Sequence, residues 1–336
     1  MTRHHRHLLI HLLVLAVLVL AAPAVRAQLY QNPVNPPATK EQVPLYQPQE
    51  KLVGTVSIPD QKLSVLVQPE GREWREFRSY WLRVVAGTLA LGMLAALTLF
   101  YLFRGTIRIS KGRSGRWVPR FGGFDRFAHW TTAVSFLIMA ITGLIITFGR
   151  PLLIPLIGHE AFTSTAYAST FLHNFFAIPF TLGLVLIFVI WIRDNLPEKA
   201  DLVWLRTLGG VLNKAGEHPE AGRFNAGQKL IFWAVVFGGF ALAVSGVLLM
   251  LPFSVTGIGG MQILHVLHGL IASLMIAVII AHIYIGTIGM EGAFDAMGRG
   301  VVDENWAKEH HSRWYEEQVL AMRANDGRPV HHRAAE

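Results

Sequence analysis

Five apolar stretches long enough to cross a bilayer occupy the chain at about 81–103, 127–148, 170–192, 229–251 and 262–290. A hydrocarbon core roughly 30 Å thick needs about 20 consecutive apolar residues in a helix, and lipid offers no water to an open backbone. The fold class is therefore an all-α membrane protein. Composition agrees, with 52% hydrophobic and 15% charged residues in 336, far from the balance of an ordinary soluble domain. There is no cysteine. Disulfides, thiolate-held clusters and thioether-attached haem are thereby excluded, and any metal must rest on histidine or carboxylate.

Charge orders the spans. Residues 1–27 read as a signal peptide: a basic start, the apolar run 8–22 and a small-residue site at Val25-Arg26-Ala27. The segment 28–80 is polar and proline-rich, an extracytoplasmic arm in which 53–58 and 63–67 could form short strands. An additional transmembrane helix at 81–103 leads to a cytoplasmic loop, 104–126, containing Arg104, Arg108, Lys111, Arg113, Arg116, Arg120 and Arg126 against one acid, Asp125. The short loops on the opposite side carry Arg150 and no other Lys or Arg. The positive-inside rule then predicts an inner-membrane protein whose mature N-terminus is periplasmic and whose tail, 291–336, is cytoplasmic. The net charge of +8 follows from this asymmetry and needs no nucleic-acid partner. Trp306, Trp314 and Tyr315 among basic residues place the tail at the membrane surface.

Histidine is the residue to follow, because a metal-binding side chain inside a span is costly and faces the bundle interior. Of 15 histidines, His129, His173, His265, His268 and His282 fall within spans. The signal (His4, His5, His7, His11), loop (His159, His218) and tail (His310, His311, His331, His332) histidines read as solvated. His268 and His282 are 14 positions apart, which at about 100° per residue returns them to within about 40° of one face, about 21 Å apart along the axis. His265 lies about 100° from His282 and is set aside as structural. Topology pairs His129 with His282 near the inside and His173 with His268 near the outside. Two facing imidazoles can fill both axial positions of an iron porphyrin, an arrangement for electron transfer. Gly143, Gly183, Gly246 and Gly269 would admit a flat macrocycle or close helix packing. A zinc site fits poorly, since the motif H-E-x-x-H is absent and the pairs lie at two depths. The later spans also lack the central acids expected of a transporter.

The runs Arg126-Phe127-Ala128-His129-Trp130, Phe171-Leu172-His173-Asn174-Phe175-Phe176 and Phe224-Asn225-Ala226-Gly227-Gln228-Lys229, the His268/His282 pair, and the tail segment 305–315 resemble the cytochrome b (gamma) subunit of respiratory formate dehydrogenase. That resemblance implies a four-helix transmembrane haem-binding bundle at 127–290 plus the additional N-terminal helix. It implies two haem b groups, His129 and His282 ligating the inner one, His173 and His268 the outer one. It further implies membrane quinone as electron acceptor beside Asn225 and Gln228, with an iron–sulfur (beta) subunit and a catalytic molybdenum or tungsten (alpha) subunit as partners. The chain would then be an electron-transfer subunit with no formate-oxidising site of its own. The alternatives are the cytochrome b subunit of a membrane-bound nickel–iron hydrogenase and a haem-free membrane anchor.

Overall fold

The computed structural model describes residues 71–210 and 219–325. The signal peptide, the expected strands at 53–58 and 63–67, and His4, His5, His7, His11, His218, His331 and His332 lie outside the described residues. The first span is reached through α1 (Gly71–Glu76) and a π-helical turn, Phe77–Trp81, that runs directly into α2 (Leu82–Arg104). Residues 71–80, within the stretch read from sequence as an arm, are helical. Once Pro69 is passed, residues 71–81 include no proline to interrupt the helix, and the Trp74 ring docks 6.0 Å from that of His265. α2 stops at Gly105, whose φ of +70° suits glycine and whose N–H still reaches the Tyr101 carbonyl at 2.8 Å.

A short strand, β1 (Trp117–Pro119), precedes the long helices α3 (Gly123–Leu152) and α4 (Ile154–Trp191). The connection between them is tight, and α4 breaks only at Gly158 (φ 80°, ψ 171°). Residues 149–169, outside the spans read from sequence, are therefore almost wholly helical. Pro151, Pro155 and Gly158 hid this. Thr163, Ser164 and Thr165 turn their hydroxyls back onto the carbonyls of His159, Glu160 and Ala161 at 2.8, 3.4 and 2.8 Å, which satisfies the hydroxyls within the helix. His159 is exposed there, as the sequence suggested. After α5 (Lys199–Arg206) come α6 (Ala226–Met250) and α7 (Ile258–Tyr284), then a π-helical turn (Ile285–Gly289), α8 (Ala293–Gly298), β2 (Val301–Asp303), α9 (Glu304–His310) and α10 (Ser312–Asn325).

Five helices among the described residues are long and apolar enough to span a membrane. α3 packs on α4, α6 on α7, α4 on α6, and α2 lies along α7. Small residues allow these approaches. A Cβ at Gly183 would stand 3.0 Å from the Thr132 backbone nitrogen, and one at Gly269 would stand 2.8 Å from Leu82. Both glycines therefore serve helix packing. Large apolar side chains such as Phe103, Ile178 and Phe237 point outward, the pattern lipid requires.

The tail corrects a reading from sequence. It folds onto one end of the bundle, hereafter the tail end, and buries two histidines that were read as solvated. β2 pairs antiparallel with β1, Val118 opposite Val302, and Arg126 donates to the carbonyls of Met297, Gly298 and Arg299 at 3.2, 2.7 and 3.4 Å. Val302, Trp306, Ala307 and Trp314 join Phe121, Ala128, Trp191 and Phe224 in one core. His310 and His311, taken as solvated, are buried. The His311 ring bonds the Gly222 carbonyl at 2.8 Å and meets the Arg120 guanidinium at 3.0 Å. That guanidinium is enclosed by Phe121, Trp306 and Trp314 at 5.2, 5.3 and 4.6 Å, a cation–π cage. Burial, with Arg223 nearby, brings Arg120 down to about 9, and burial beside Arg120 holds His311 well below its usual value.

An acid-sensitive clasp results. Burial would raise the Asp303 carboxyl, but the N–H groups of Ser114, Asn305 and Gly115 outweigh it and hold that carboxyl below its usual range. Both folded pKa values are depressed, so each group's contribution is complete above its unfolded value and declines as pH falls toward the folded one. His311 begins to lose its contribution below about 6.5 and Asp303 further into acid. Amide exchange across 301–314, corrected for intrinsic rates, should accelerate between pH 7 and 4 while the spans remain protected. Unchanged protection of the tail would contradict the assignment.

Candidate functional site

α7 carries three histidines, and two of them meet partners from other helices at separate depths. The His129 ring, from α3, lies 6.2 Å from that of His282. The His173 ring, from α4, lies 6.3 Å from that of His268. His268 and His282 are separated by about 21 Å of helix rise. His265 joins neither pair. It lines a cavity of about 180 Å³ between α1 and α7, with Trp74, Arg78 and Gln262.

The spacing can be tested against the group that sequence suggested. Metal–imidazole bonds of about 2.0 Å, plus roughly 1.1 Å from each nitrogen to its ring centre, separate two axial rings by about 6.2 Å. Both pairs match this separation. Among the described residues no group of three or more His, Cys, Asp or Glu comes together as a metal site, and the two pairs offer two imidazoles each. His129 Nδ1 is buried without a partner.

The pair far from the tail is more elaborately held. Thr142 Oγ1 stands 3.0 Å from His173 Nδ1, and Ser245 Oγ stands 2.9 Å from His268 Nδ1. Sequence reasoning missed both hydroxyls; the available signal was a pair of hydroxyl–glycine dipeptides, Thr142-Gly143 and Ser245-Gly246, in different spans. A Cβ at Gly143 would approach His173 Cε1 to 3.3 Å and one at Gly246 would approach His268 Cε1 to 3.5 Å. These two glycines keep the flanks of the rings clear, unlike Gly183 and Gly269.

Asn225 and Gln228 sit at the tail end, where they form a reciprocal cap at the start of α6. Gln228 N–H donates to Asn225 Oδ1 at 3.0 Å and Asn225 N–H donates to Gln228 Oε1 at 3.1 Å, which satisfies backbone donors a helix start leaves open. Beside them, buried Lys229 donates to the Leu196 carbonyl at 3.0 Å, to Asp201 at 2.9 Å and to Glu198 at 3.2 Å. Arg223 pairs with Asp194 at 2.7 Å and Asp125 at 3.2 Å, and Trp191 donates to Asp125 at 2.7 Å.

Residues 120–300, which contain all four paired histidines, match the family model for prokaryotic cytochrome b561. The chain belongs to the prokaryotic cytochrome b561 family. It is similar to the formate dehydrogenase, nitrate-inducible, cytochrome b556(Fdn) subunit of Escherichia coli K12, with 35% identity over 198 residues, 57% of this chain and 88% of that protein. The formate dehydrogenase cytochrome b556(fdo) subunit of the same organism is 30% identical over 203 residues, covering 60% and 92%. A formate dehydrogenase cytochrome b556 subunit from Haemophilus influenzae is 29% identical over 206 residues, covering 60% and 83%. Membership in this cytochrome b family implies haem b in a multi-pass membrane protein. α1 and α2 precede the matched residues.

Proposed function

We propose that this cytochrome b561-family chain is the membrane subunit of a formate dehydrogenase, binding two haem b groups and carrying electrons from an extracytoplasmic iron–sulfur partner to membrane quinone. The observation that carries the reading is the presence of two histidine pairs at two depths, each at axial spacing, in a chain similar to formate dehydrogenase cytochrome b556 subunits. Haem, when bound, would supply reversible one-electron chemistry. His129 and His282 would hold the group at the tail end, His173 and His268 the group at the far end. The surrounding spans exclude water, and the tail closes the end nearer His129. The chain contributes conduction and quinone access, while a molybdenum or tungsten subunit oxidises formate.

The arginine-rich 104–126 segment and the tail favour a cytoplasmic tail end, so the far-end pair faces the periplasm. Asn225 and Gln228 are proposed to border the quinone site at the cytoplasmic tail end, since neutral amides bond a carbonyl without burying charge. In their reciprocal cap each amide oxygen is engaged by the other residue's backbone, which leaves the amide N–H groups for a ligand.

The test is a membrane preparation in which the chain is isolated with its partners. Two haems per chain, reducible by formate, and a co-isolated molybdenum or tungsten subunit support the reading; a nickel–iron partner or a haem-free chain overturns it. Asn225→Leu and Gln228→Leu should leave haem reduction by formate intact and slow reoxidation by quinone, with about 1 kcal/mol of helix stability lost through the cap in the Asn225 variant. Wild-type reoxidation in both would reduce the two amides to capping alone.

A further inference from the structure

Thr142 and Ser245 are hydroxyls inside the spans, and each makes two kinds of contact. Thr142 Oγ1 is 2.8 Å from the Ile138 carbonyl and 3.1 Å from that of Met139; Ser245 Oγ is 2.7 Å from the Ala241 carbonyl and 3.3 Å from that of Leu242. A hydroxyl has one hydrogen, and a carbonyl can only accept. The hydrogen is therefore directed to the helix backbone, and the hydroxyl oxygen presents lone pairs to the ring 3.0 or 2.9 Å away. The ring nitrogen must then be the donor. His173 and His268 are thereby set as Nδ1–H tautomers with Nε2 unprotonated, the form that can ligate a metal.

The same device appears twice on one pair, from two helices. α3 supplies Thr142 to a histidine on α4, and α6 supplies Ser245 to a histidine on α7. In each case the following residue is glycine, which keeps the ring's flank open. At the other pair, His129 Nδ1 has no such acceptor. An acceptor on Nδ1–H makes an imidazole more basic and a stronger donor to its metal, and a stronger donor favours oxidised iron. The acceptor is itself polarised by donating to a carbonyl.

We propose that Thr142 and Ser245 are positioning residues that lock the tautomers of His173 and His268 and set the far-end haem at the lower potential of the two. The gradient then runs from the far-end pair toward the tail-end pair, and hydroxyl placement builds a direction for electron flow into the bundle. This rests on the two-haem reading above.

The experiment is a redox titration of the haem bands in the intact complex, with haem per chain measured on the same samples. Thr142→Val and Ser245→Ala should each raise the potential of the same, lower-potential component and leave the other in place. The hydroxyl-retaining variants Thr142→Ser and Ser245→Thr should restore it. Two haems at wild-type potentials in both hydroxyl-free variants overturn the proposal and leave the two-haem reading standing. Shifts in different components, or equal shifts in the hydroxyl-retaining variants, also overturn it. If Thr142→Val or Ser245→Ala fails to hold the far-end haem, the hydroxyl-retaining variants decide: haem retained at wild-type potential supports the proposal, and the same haem loss overturns it. A wild-type chain with fewer than two haems removes the reading and the proposal together.

Discussion

His268→Ala and His173→Ala should each leave one haem per chain in place of two, with the remaining haem at its wild-type potential. Each substitution removes one of two facing imidazoles whose ring centres lie 6.3 Å apart, and among the described residues no third histidine joins the pair. His265 is the discriminating control. It lies one helical turn from His268 on the same helix, yet its ring contacts Trp74 of α1 and faces a cavity outside the four-helix bundle. His265→Ala should therefore retain both haems. A pyridine haemochrome assay against quantified chain separates the outcomes, and loss of a haem from the His265 variant would reverse the ligand assignment. His129→Ala should remove the other haem while leaving the His173–His268 pair intact, because about 21 Å of helix separates the two levels. Loss of both haems in any single variant would mean that the sites are not independent.

The spans and the histidine pairing were legible because they depend on a strong period. Lipid demands uninterrupted apolar helix, so length alone located five spans, although the third spanning helix starts at Ile154, well before the expected 170. Fourteen positions between His268 and His282 fixed a common face, and alternating topology then left little choice of partner. The misread features lacked such a signal. Residues 149–169 include Pro151, Pro155 and Gly158, which normally mark a loop, but Pro151 and Pro155 fall in the last turn of α3 and the first turn of α4 and only Gly158 leaves helical geometry. The fate of Gly183 and Gly269 as against Gly143 and Gly246 could not be distinguished by composition, since both uses require only the absence of a side chain. Asn225 and Gln228 carried two signals at once, an amide pair for a ligand and the spacing of a capping box, and the structure realises the second. His310 and His311 were read as solvated because they sit in a charged, apparently amphipathic tail. Their burial depends on long-range partners, Arg120 and the Gly222 carbonyl, that no local pattern encodes.

Burial of the tail has a large energetic consequence at Trp306. Its side chain is 3% exposed, packs 5.2 Å from the rings of both His310 and His311 and forms one wall of the cage around Arg120. Truncation removes apolar contact, opens a cavity and leaves the buried guanidinium with less compensation, so Trp306→Ala should cost about 3–5 kcal/mol of stability in the tail-end core. The damage should spread along one path. Ala128 belongs to the same core and immediately precedes His129, and the segment before β2 pins the next residue through a 3.0 Å bond from Trp130 Nε1 to the Met297 carbonyl. The haem at the His129–His282 pair should therefore dissociate at a lower temperature than in the wild type, whereas the one at His173–His268 should hold to its wild-type temperature. Lys308→Ala, on the same short helix but half exposed and paired with Glu304 at 2.7 Å, should cost no more than about 1 kcal/mol. Following the two haem bands separately during a thermal ramp in detergent distinguishes these cases. Equal destabilisation of both haems by Trp306→Ala would mean that the tail supports the bundle as a whole, and wild-type melting would mean that it is an appendage whose packing contributes nothing to the spans.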